Sequence, residues 1–568
     1  MYFNLNENKD TSFDAIVVGS GISGGWAAKE LCEKGLKTLV LERGRMVKHG
    51  DYPTANLEDW EVPFRNKVPP EEAKDYSIQT RTGYTLRQVY KHWWPKDTEN
   101  PYTEEKPFDW IRAYHVGGRS LLWGRQSYRL GDLDFEANLK DGIAVDWPIR
   151  YKDIAPWYDY VETFAGISGQ NEGLPQLPDG KFLPPFEYNC IEKHVKKRIK
   201  ESLGRDLIMG RTAHITSEGG HKGRGTCQTR NRCMRGCPFG AYFSSNASTL
   251  PAAEATGNMT LRPFSIVTEI ILDDDGKTAK GVRLIDAETL ETHEYFAKVV
   301  FLCASTFGST YILMNTKTDQ HPNGLGNESG ELGHNVMDHH FRLGAYGTSD
   351  QFKDQYYKGR RPTGIYIPRF RNLDEKSKMP NFTRGYGYQG GGSRENWDRY
   401  IAEADFGPDL KRAVSQPGDW NMNLMAFGEC LPYHENRIYL NHEVKDIYGL
   451  PTLTMDAEWK TNEKEMRKDM MNAAAEMLEA AGLKNVNTYD SGCNPGLGIH
   501  EMGTARMGQD PKTSVLNKNN QVHSCPNVYV TDGACMTSAS CVNPSLTYMA
   551  LTARAVHHAV ESLKKNEL

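Results

Sequence analysis

The sequence predicts an α/β chain built around a Rossmann-like unit, on three observations. Residues 14–42 read as an apolar strand, a glycine-rich turn, a helix and a second apolar strand that ends on an acid. The 568 residues correspond to three or four domains at about 150 residues each. No linker and no internal repeat divides them, so the domains are expected to interleave rather than follow in series. The 53 glycines exceed the usual share, which favours tight turns and close backbone approaches over disorder.

The same composition excludes several classes of function. Lys and Arg number 68 against 73 Asp and Glu, a net charge of −5. With no Lys/Arg cluster, no nucleic-acid surface is expected. No apolar run approaches the roughly 18 residues of a membrane span. The first residues, Met1–Phe13, are polar and acidic, with neither a cationic nor an apolar signal region. The chain is therefore expected to carry no signal peptide of its own. Of the 11 cysteines most lie singly, so a disulfide framework is not expected.

The first element is Asp14-Ala-Ile-Val-Val-Gly-Ser-Gly-Ile-Ser-Gly-Gly, followed by Lys37-Thr-Leu-Val-Leu-Glu. Gly19, Gly21 and Gly24 fit G-x-G-x-x-G: a tight turn, an approach of backbone to a pyrophosphate, and close packing of helix on strand. The helix N-terminus then offers free N–H groups to phosphate. Glu42, 18 residues past Gly24, stands where a carboxylate accepts a ribose hydroxyl. This motif does not separate FAD from NAD. Residues 51–109, polar and rich in Pro and aromatics (Trp93-Trp94-Pro95), are expected to cover a cleft.

Cys227, Cys233 and Cys237 form C-x5-C-x3-C-P. Three soft thiolates at that spacing suit an iron–sulfur cluster, and a Cys-Pro ending also occurs in ferredoxin runs. Three local ligands point to a 3Fe-4S cluster, or to a four-iron one with a distant or non-Cys ligand. Arg224, Arg230, Arg232 and Arg235 would offset its charge. Zinc held together with His221, and three unlinked thiols, are the alternatives. Arg384–Ser393, with Gly385, Gly387 and Gly390–Gly392, reads as a glycine-rich loop. Glu463–Ala481 reads as a helix with a capping box of Asn462 and Glu465, a stop at Gly482, and a core stripe of Met466, Met470, Ala473, Met477 and Ala481. Ala553–Lys564 is the closing helix, with His557 and His558 partly solvated.

At the far end stand His500-Glu-Met-Gly-Thr-Ala-Arg-Met-Gly, Asn527-Val-Tyr-Val-Thr-Asp-Gly and Asn543-Pro-Ser-Leu-Thr-Tyr-Met. Here the chain resembles the glucose–methanol–choline (GMC) family of flavin oxidoreductases. Val116-Gly-Gly-Arg-Ser-Leu-Leu-Trp-Gly is similar to its second glycine signature, with Gly117 and Gly118 beside the flavin. Lys298–Leu313 is similar to its third core strand and following helix. Gly333-His-Asn-Val-Met-Asp-His and Asn436-Arg-Ile-Tyr-Leu match later segments in the family's order.

The resemblance implies a discontinuous FAD-binding domain of residues 1–50, 110–135, 205–345 and 490–568, with an iron–sulfur segment at 221–250. It implies a substrate domain of residues 136–204 and 346–489 on an antiparallel sheet, with strands near Gly364–Phe370 and Arg437–Asn441. Oxidising an alcohol moves a hydride to flavin N5 and needs a base for the hydroxyl proton. Histidine, with its ordinary pKa near 6.5, is suited to that role. By resemblance the base matches His500 and its partner Asn543, 43 residues later, with Pro544 holding the loop. Asp532 would meet the ribityl or pyrophosphate, and the Val267 backbone the adenine. Leu122 precedes Trp123 where some relatives carry a flavin-linked His, so FAD is expected to be non-covalent.

Bacterial fructose, sorbitol, gluconate and glucose dehydrogenase flavosubunits and glucoside 3-dehydrogenases carry a similar cysteine trio. The resemblance thus implies oxidation of a secondary sugar hydroxyl, C3 of a glucoside first. Another sugar or polyol dehydrogenase, an oxygen-using oxidase and a redox-silent lyase are the rivals. No C-x-x-C-H is present, so the acceptor would be a separate cytochrome c subunit. A small helper subunit bearing a signal would take the chain to the periplasm; a cytoplasmic location is the alternative.

Overall fold

The computed structural model describes residues 10–83, 85–356, 361–395, 407–416 and 418–568. An eight-stranded sheet forms the first layer. Its parallel strands lie in the order Cys525–Val530, Thr292–Leu302, Ser12–Val18, Thr38–Leu41 and Met259–Arg262. Thr38–Leu41 is buried along its whole length. Continuous apolar runs of this kind make parallel sheets covered on both faces. The helices Ile22–Glu33 and Ser545–Lys564 pack on each other over one face, against Ala15, Val17, Val40 and Phe301. The strands Ser265–Leu272 and Ala279–Asp286 and the helix Thr306–Asn315 share the core of the other face with Ile16, Val18, Leu39 and Leu302. Val18 lies opposite both Leu41 and Leu302, and Leu302 opposite Val530, so four carboxyl ends meet at one edge. Ligands bind at that edge of an open α/β sheet.

The turn after the first strand is as tight as its glycines suggest. Gly19 adopts φ +96°, and a Cβ at Gly24 would stand 1.9 Å from the Gly19 carbonyl oxygen. Nothing lies within 4 Å of where a Gly21 Cβ would be, so that face stays open.

The second sheet has six antiparallel strands, Lys484–Asp490, Leu343–Ser349, Trp420–Gly428, Tyr386–Arg394, Ile365–Ile367 and Ile208–Met209. The glycine-rich stretch expected to be a loop is therefore a central strand, paired on both sides. Its glycines serve close approach: a Cβ at Gly390 would lie 2.0 Å from the Asn423 carbonyl oxygen, and one at Gly392 2.2 Å from the Ile191 side chain. Ile208–Met209, expected in the FAD domain, is an edge of this second sheet. Arg437–Lys445, expected in the substrate sheet, belongs to a separate three-stranded sheet with Pro451–Asp456 and Thr103–Glu104.

The helix Thr461–Ala480 packs on the second sheet through Met466, Met470, Ala473 and Met477, all buried. Its start lies earlier than expected. Glu463 Oε2 accepts from the Lys460 N–H at 3.0 Å, whereas Asn462 Oδ1 accepts from the N–H of Thr383. Tertiary pairing has claimed the expected cap. The last helix begins at Ser545, with Pro544 at its N-cap. His557 is exposed and His558 half-buried.

Gly24→Ala is expected to yield protein purified without flavin, because the Gly19 turn has to move. Retention of the visible flavin absorbance at a wild-type ratio to protein would contradict that packing.

Candidate active site

The carboxyl edge of the first sheet opens into a cavity of about 470 Å³ that also reaches the second sheet. Gly19, Gly21, Glu42, Gly118, Val267 and Asp532 line it, together with His500 and Asn543. Gly24, Gly117 and Pro544 stand behind its wall. The Gly117 N–H donates to Ser20 Oγ at 2.9 Å, which ties the second glycine loop to the first. Glu42 accepts from the N–H and hydroxyl of Ser20 at 3.1 and 2.6 Å and from the Gly44 N–H at 3.0 Å. Burial pushes its pKa up despite those donors. Asp532 accepts from Ser309 Oγ at 2.5 Å and from the Ala534 N–H at 3.0 Å, and burial pushes it up to about 6.

These residues fit a dinucleotide. The Gly21 face is open, the helix N-terminus beside it points N–H groups outward, and Tyr548 Oη is a buried polar atom in the wall with no partner. Leu122 lines the cavity, whereas His115, the histidine just before the second glycine signature, does not.

His500 and Asn543 are held by contacts that local sequence does not reveal. Asp338 accepts from the backbone N–H groups of Gly496, Gly498 and His500 at 2.8, 2.9 and 3.0 Å. Burial and the nearby Glu501 push its pKa up to about 7, against those donors. His500 Nε2 stands 3.4 Å from Asn543 Nδ2, and Asn543 Oδ1 accepts from Gln389 Nε2 at 2.7 Å. His500 Nδ1 faces His339 Nδ1 at 2.8 Å. The next residue, Glu501, pairs with Arg119 of the second glycine loop at 2.8 and 2.9 Å. Burial, then His339 and Arg119, hold the His500 pKa well below the ordinary value. Phe341 and Phe427, stacked at 5.0 Å, and Trp94 supply aromatic wall to the same cavity.

Cys227, Cys233 and Cys237 surround a separate small cavity of about 30 Å³. His221 is not part of it; its Nε2 bonds the Thr163 carbonyl. His214 is, with Nε2 3.6 Å from Cys233 Sγ and Nδ1 2.7 Å from Thr212 Oγ1. Of the four arginines expected to offset charge, Arg232 and Arg235 already pair with Glu58 and Asp59. Arg125, which sequence reading missed, donates to the Cys233 carbonyl at 3.1 Å; burial pushes that thiol's pKa up and the Arg125 charge opposes it. Burial and the neighbouring thiols push Cys227 up to about 11. Among the described residues no group of three or more His, Cys, Asp or Glu side chains is arranged to hold a metal ion.

Two family models match the chain, GMC oxidoreductase over residues 103–341 and its C-terminal counterpart over 432–552. The chain is 29% identical to 2-methyl-1,2-propanediol dehydrogenase of Mycolicibacterium austroafricanum, over 95% of this chain and 94% of that one. It is 24% identical to the fructose dehydrogenase large subunit of Gluconobacter japonicus, over 98% and 99% of the two chains. Among solved structures, the Aspergillus oryzae formate oxidase superposes with a TM-score of 0.61 at 13% identity, covering 98% of this chain and all (100%) of that one. The chain belongs to the GMC oxidoreductase family and is an FAD-dependent enzyme acting on CH–OH groups.

The lowered His500 pKa has a sign that can be checked. A depressed pKa keeps the ring neutral into acid. The facing groups are His339, Arg119, Asn543 and the Asp338 carboxylate. The His500 ring, followed by ¹⁵N NMR, is expected to stay neutral from pH 7.5 to 6.0, where an ordinary histidine would become about three-quarters protonated. A midpoint near 6.5 for that ring would show that burial does not hold its pKa down.

Proposed function

We propose that this chain oxidises a secondary hydroxyl of a sugar or glycoside, C3 of a glucoside first, with His500 as the base. The observation that carries this reading is the His500 Nε2–Asn543 Nδ2 pair, 3.4 Å apart in the wall of the large cavity. A hydroxyl oxygen placed between them accepts an N–H from Asn543 and gives its proton to His500. The carbinol C–H hydrogen leaves with its electron pair as the carbonyl forms. FAD bound in the cavity supplies the hydride acceptor. Gly19, Gly21, Glu42, Gly118, Val267 and Asp532 would hold it, with Gly24, Gly117 and Pro544 shaping the wall. Phe341, Phe427 and Trp94 offer apolar faces to the C–H side of a sugar ring, and Gln389 offers a polar edge. Identity to a fructose dehydrogenase subunit supports a sugar. Identity to a propanediol dehydrogenase favours a polyol as the second reading.

Cys227, Cys233 and Cys237 would hold an iron–sulfur cluster of the 3Fe-4S kind, whose chemistry there is one-electron transfer. What supports this is their common cavity and the soft donor set; a polynuclear cluster spreads its thiolates wider than a single ion does. Binding would deprotonate thiols that burial otherwise keeps neutral. The acceptor on this reading is a cytochrome-type protein, and a signal-bearing helper subunit delivers the chain to the periplasm; retention in the cytoplasm is the alternative. No described helix is long and apolar enough to cross a membrane.

Methyl glucoside, with its anomeric carbon blocked, is expected to bleach the flavin anaerobically and to give a 3-keto product by NMR. Bleaching by glucose, gluconate, sorbitol or fructose alone would move the activity to C1, C2 or C5. Bleaching by a small diol alone would favour the polyol reading. His500→Ala is expected to slow reduction by about 10²–10⁴-fold with FAD retained; normal turnover would remove the base assignment.

Cys233→Ser is expected to leave substrate bleaching intact while delivery to a one-electron acceptor falls at least tenfold. Absence of iron and sulfide from anaerobically purified wild-type protein would remove the cluster.

A further inference from the structure

His339 is fully buried, and its two ring nitrogens face different partners. Nε2 lies 2.8 Å from the Ser540 carbonyl oxygen, which can only accept, so Nε2 carries the proton. Burial holds the ring's pKa down to about 4, so it is neutral at pH 7 and Nδ1 is a bare acceptor. Nδ1 in turn faces His500 Nδ1 at 2.8 Å. Two bare nitrogens do not bond, so His500 must carry its proton on Nδ1. The neutral His500 ring then presents a lone pair at Nε2.

The same polarity continues across the site. A bare His500 Nε2 calls for the amino side of Asn543, at 3.4 Å, and this leaves Asn543 Oδ1 to accept from Gln389 Nε2. Donors and acceptors thus run in one direction from Ser540 through His339, His500 and Asn543 to Gln389. The starting point is a backbone carbonyl, which has no alternative protonation state. Ser540 itself holds φ +58° and bonds Asp134 Oδ1 through its hydroxyl at 2.7 Å. A non-glycine residue in that region costs free energy, and the hydroxyl contact helps to hold it there.

We infer that His339 is a positioning residue that, keyed to the Ser540 carbonyl, fixes His500 in the Nδ1–H tautomer so that Nε2 can take the substrate proton. The inference rests on the reading of His500 as base only for its kinetic consequence; the tautomer itself belongs to the resting enzyme. An isolated imidazole populates both tautomers, so without the key a share of His500 would point an N–H at a hydroxyl that needs an acceptor.

The test is ¹⁵N NMR of histidine-labelled, FAD-loaded protein, with His500 assigned by difference against His500→Asn. Wild type is expected to show a protonated Nδ1 and a bare Nε2 at pH 7. In His339→Leu the His500 resonances are expected to move toward a mixture of tautomers. Flavin reduction at saturating substrate should fall at least tenfold, with half-saturation changed less than threefold. His339→Gln, whose amide again offers one donor and one acceptor, is expected to restore most of the rate and the bare Nε2. A protonated Nε2 in wild type would overturn the inference without any variant, as would unchanged His500 resonances in a folded His339→Leu protein. If His500→Asn reduced its flavin normally while the wild-type tautomer was as expected, the base assignment would fail and the tautomer lock would stand.

Discussion

The reacting part of this enzyme depends on one buried carboxylate. Asp338 gathers the N–H groups of Gly496, Gly498 and His500 within 3.0 Å. Burying such a group is unfavourable unless donors meet it, and here the donors are the turn that carries His500. The turn has no room for anything else: a Cβ at Gly498 would lie 2.4 Å from Asp338 Oδ1, and Ile499 is held at φ +58°. Because Glu501 follows directly and pairs with Arg119, the same turn anchors the second glycine loop. One side chain therefore aligns His500 and the loop opposite it.

Legibility in the sequence followed the range of the forces involved. The strand–turn–helix unit at 14–42 was readable because its glycines answer to contacts within a few residues, as the Gly19–Gly24 packing confirms. The methionine stripe of Thr461–Ala480 was readable for the same reason. The run Tyr386–Arg394 was not, because the glycine pattern that suits a loop also suits a strand crowded by Asn423 and Ile191, and the crowding comes from elsewhere in the chain. His500 and Asn543 could be singled out by family pattern, and Arg119 and Asp338 lie in matching segments, but the contacts of Gln389, Arg119 and Asp338 reach across 154, 382 and up to 162 residues of sequence. No local periodicity encodes such contacts. His214 was missed in favour of His221 because nearness in sequence stood in for nearness in space.

The linings of the two cavities are tied to each other. Arg125 and Tyr242 both donate to the Leu121 carbonyl, at 2.7 and 2.9 Å, and Arg125 also reaches the Cys233 carbonyl. The guanidinium stacks 3.9 Å from the centre of the Tyr242 ring. Met234, from the cysteine segment, lines the large cavity, and its carbonyl accepts from Trp93 Nε1 at 3.0 Å. The segment carrying the thiols is thereby fastened to the loop beside the dinucleotide site, rather than hanging from the surface as a separate module.

The order of strands in the first sheet also bears on how the chain is made. Ser12–Val18 pairs with Thr292–Leu302, which pairs with Cys525–Val530, and the second sheet is encoded almost wholly in between. Pairings of such long sequence separation form slowly, since loop closure precedes their reward. During synthesis the first βα unit leaves the ribosome long before its neighbours exist, with apolar strand edges uncovered. The antiparallel sheet can assemble as a nascent unit, while the dinucleotide cradle closes only when the last strand and its helix arrive. The cofactor site therefore stays open until residues 525–564 have been made and packed.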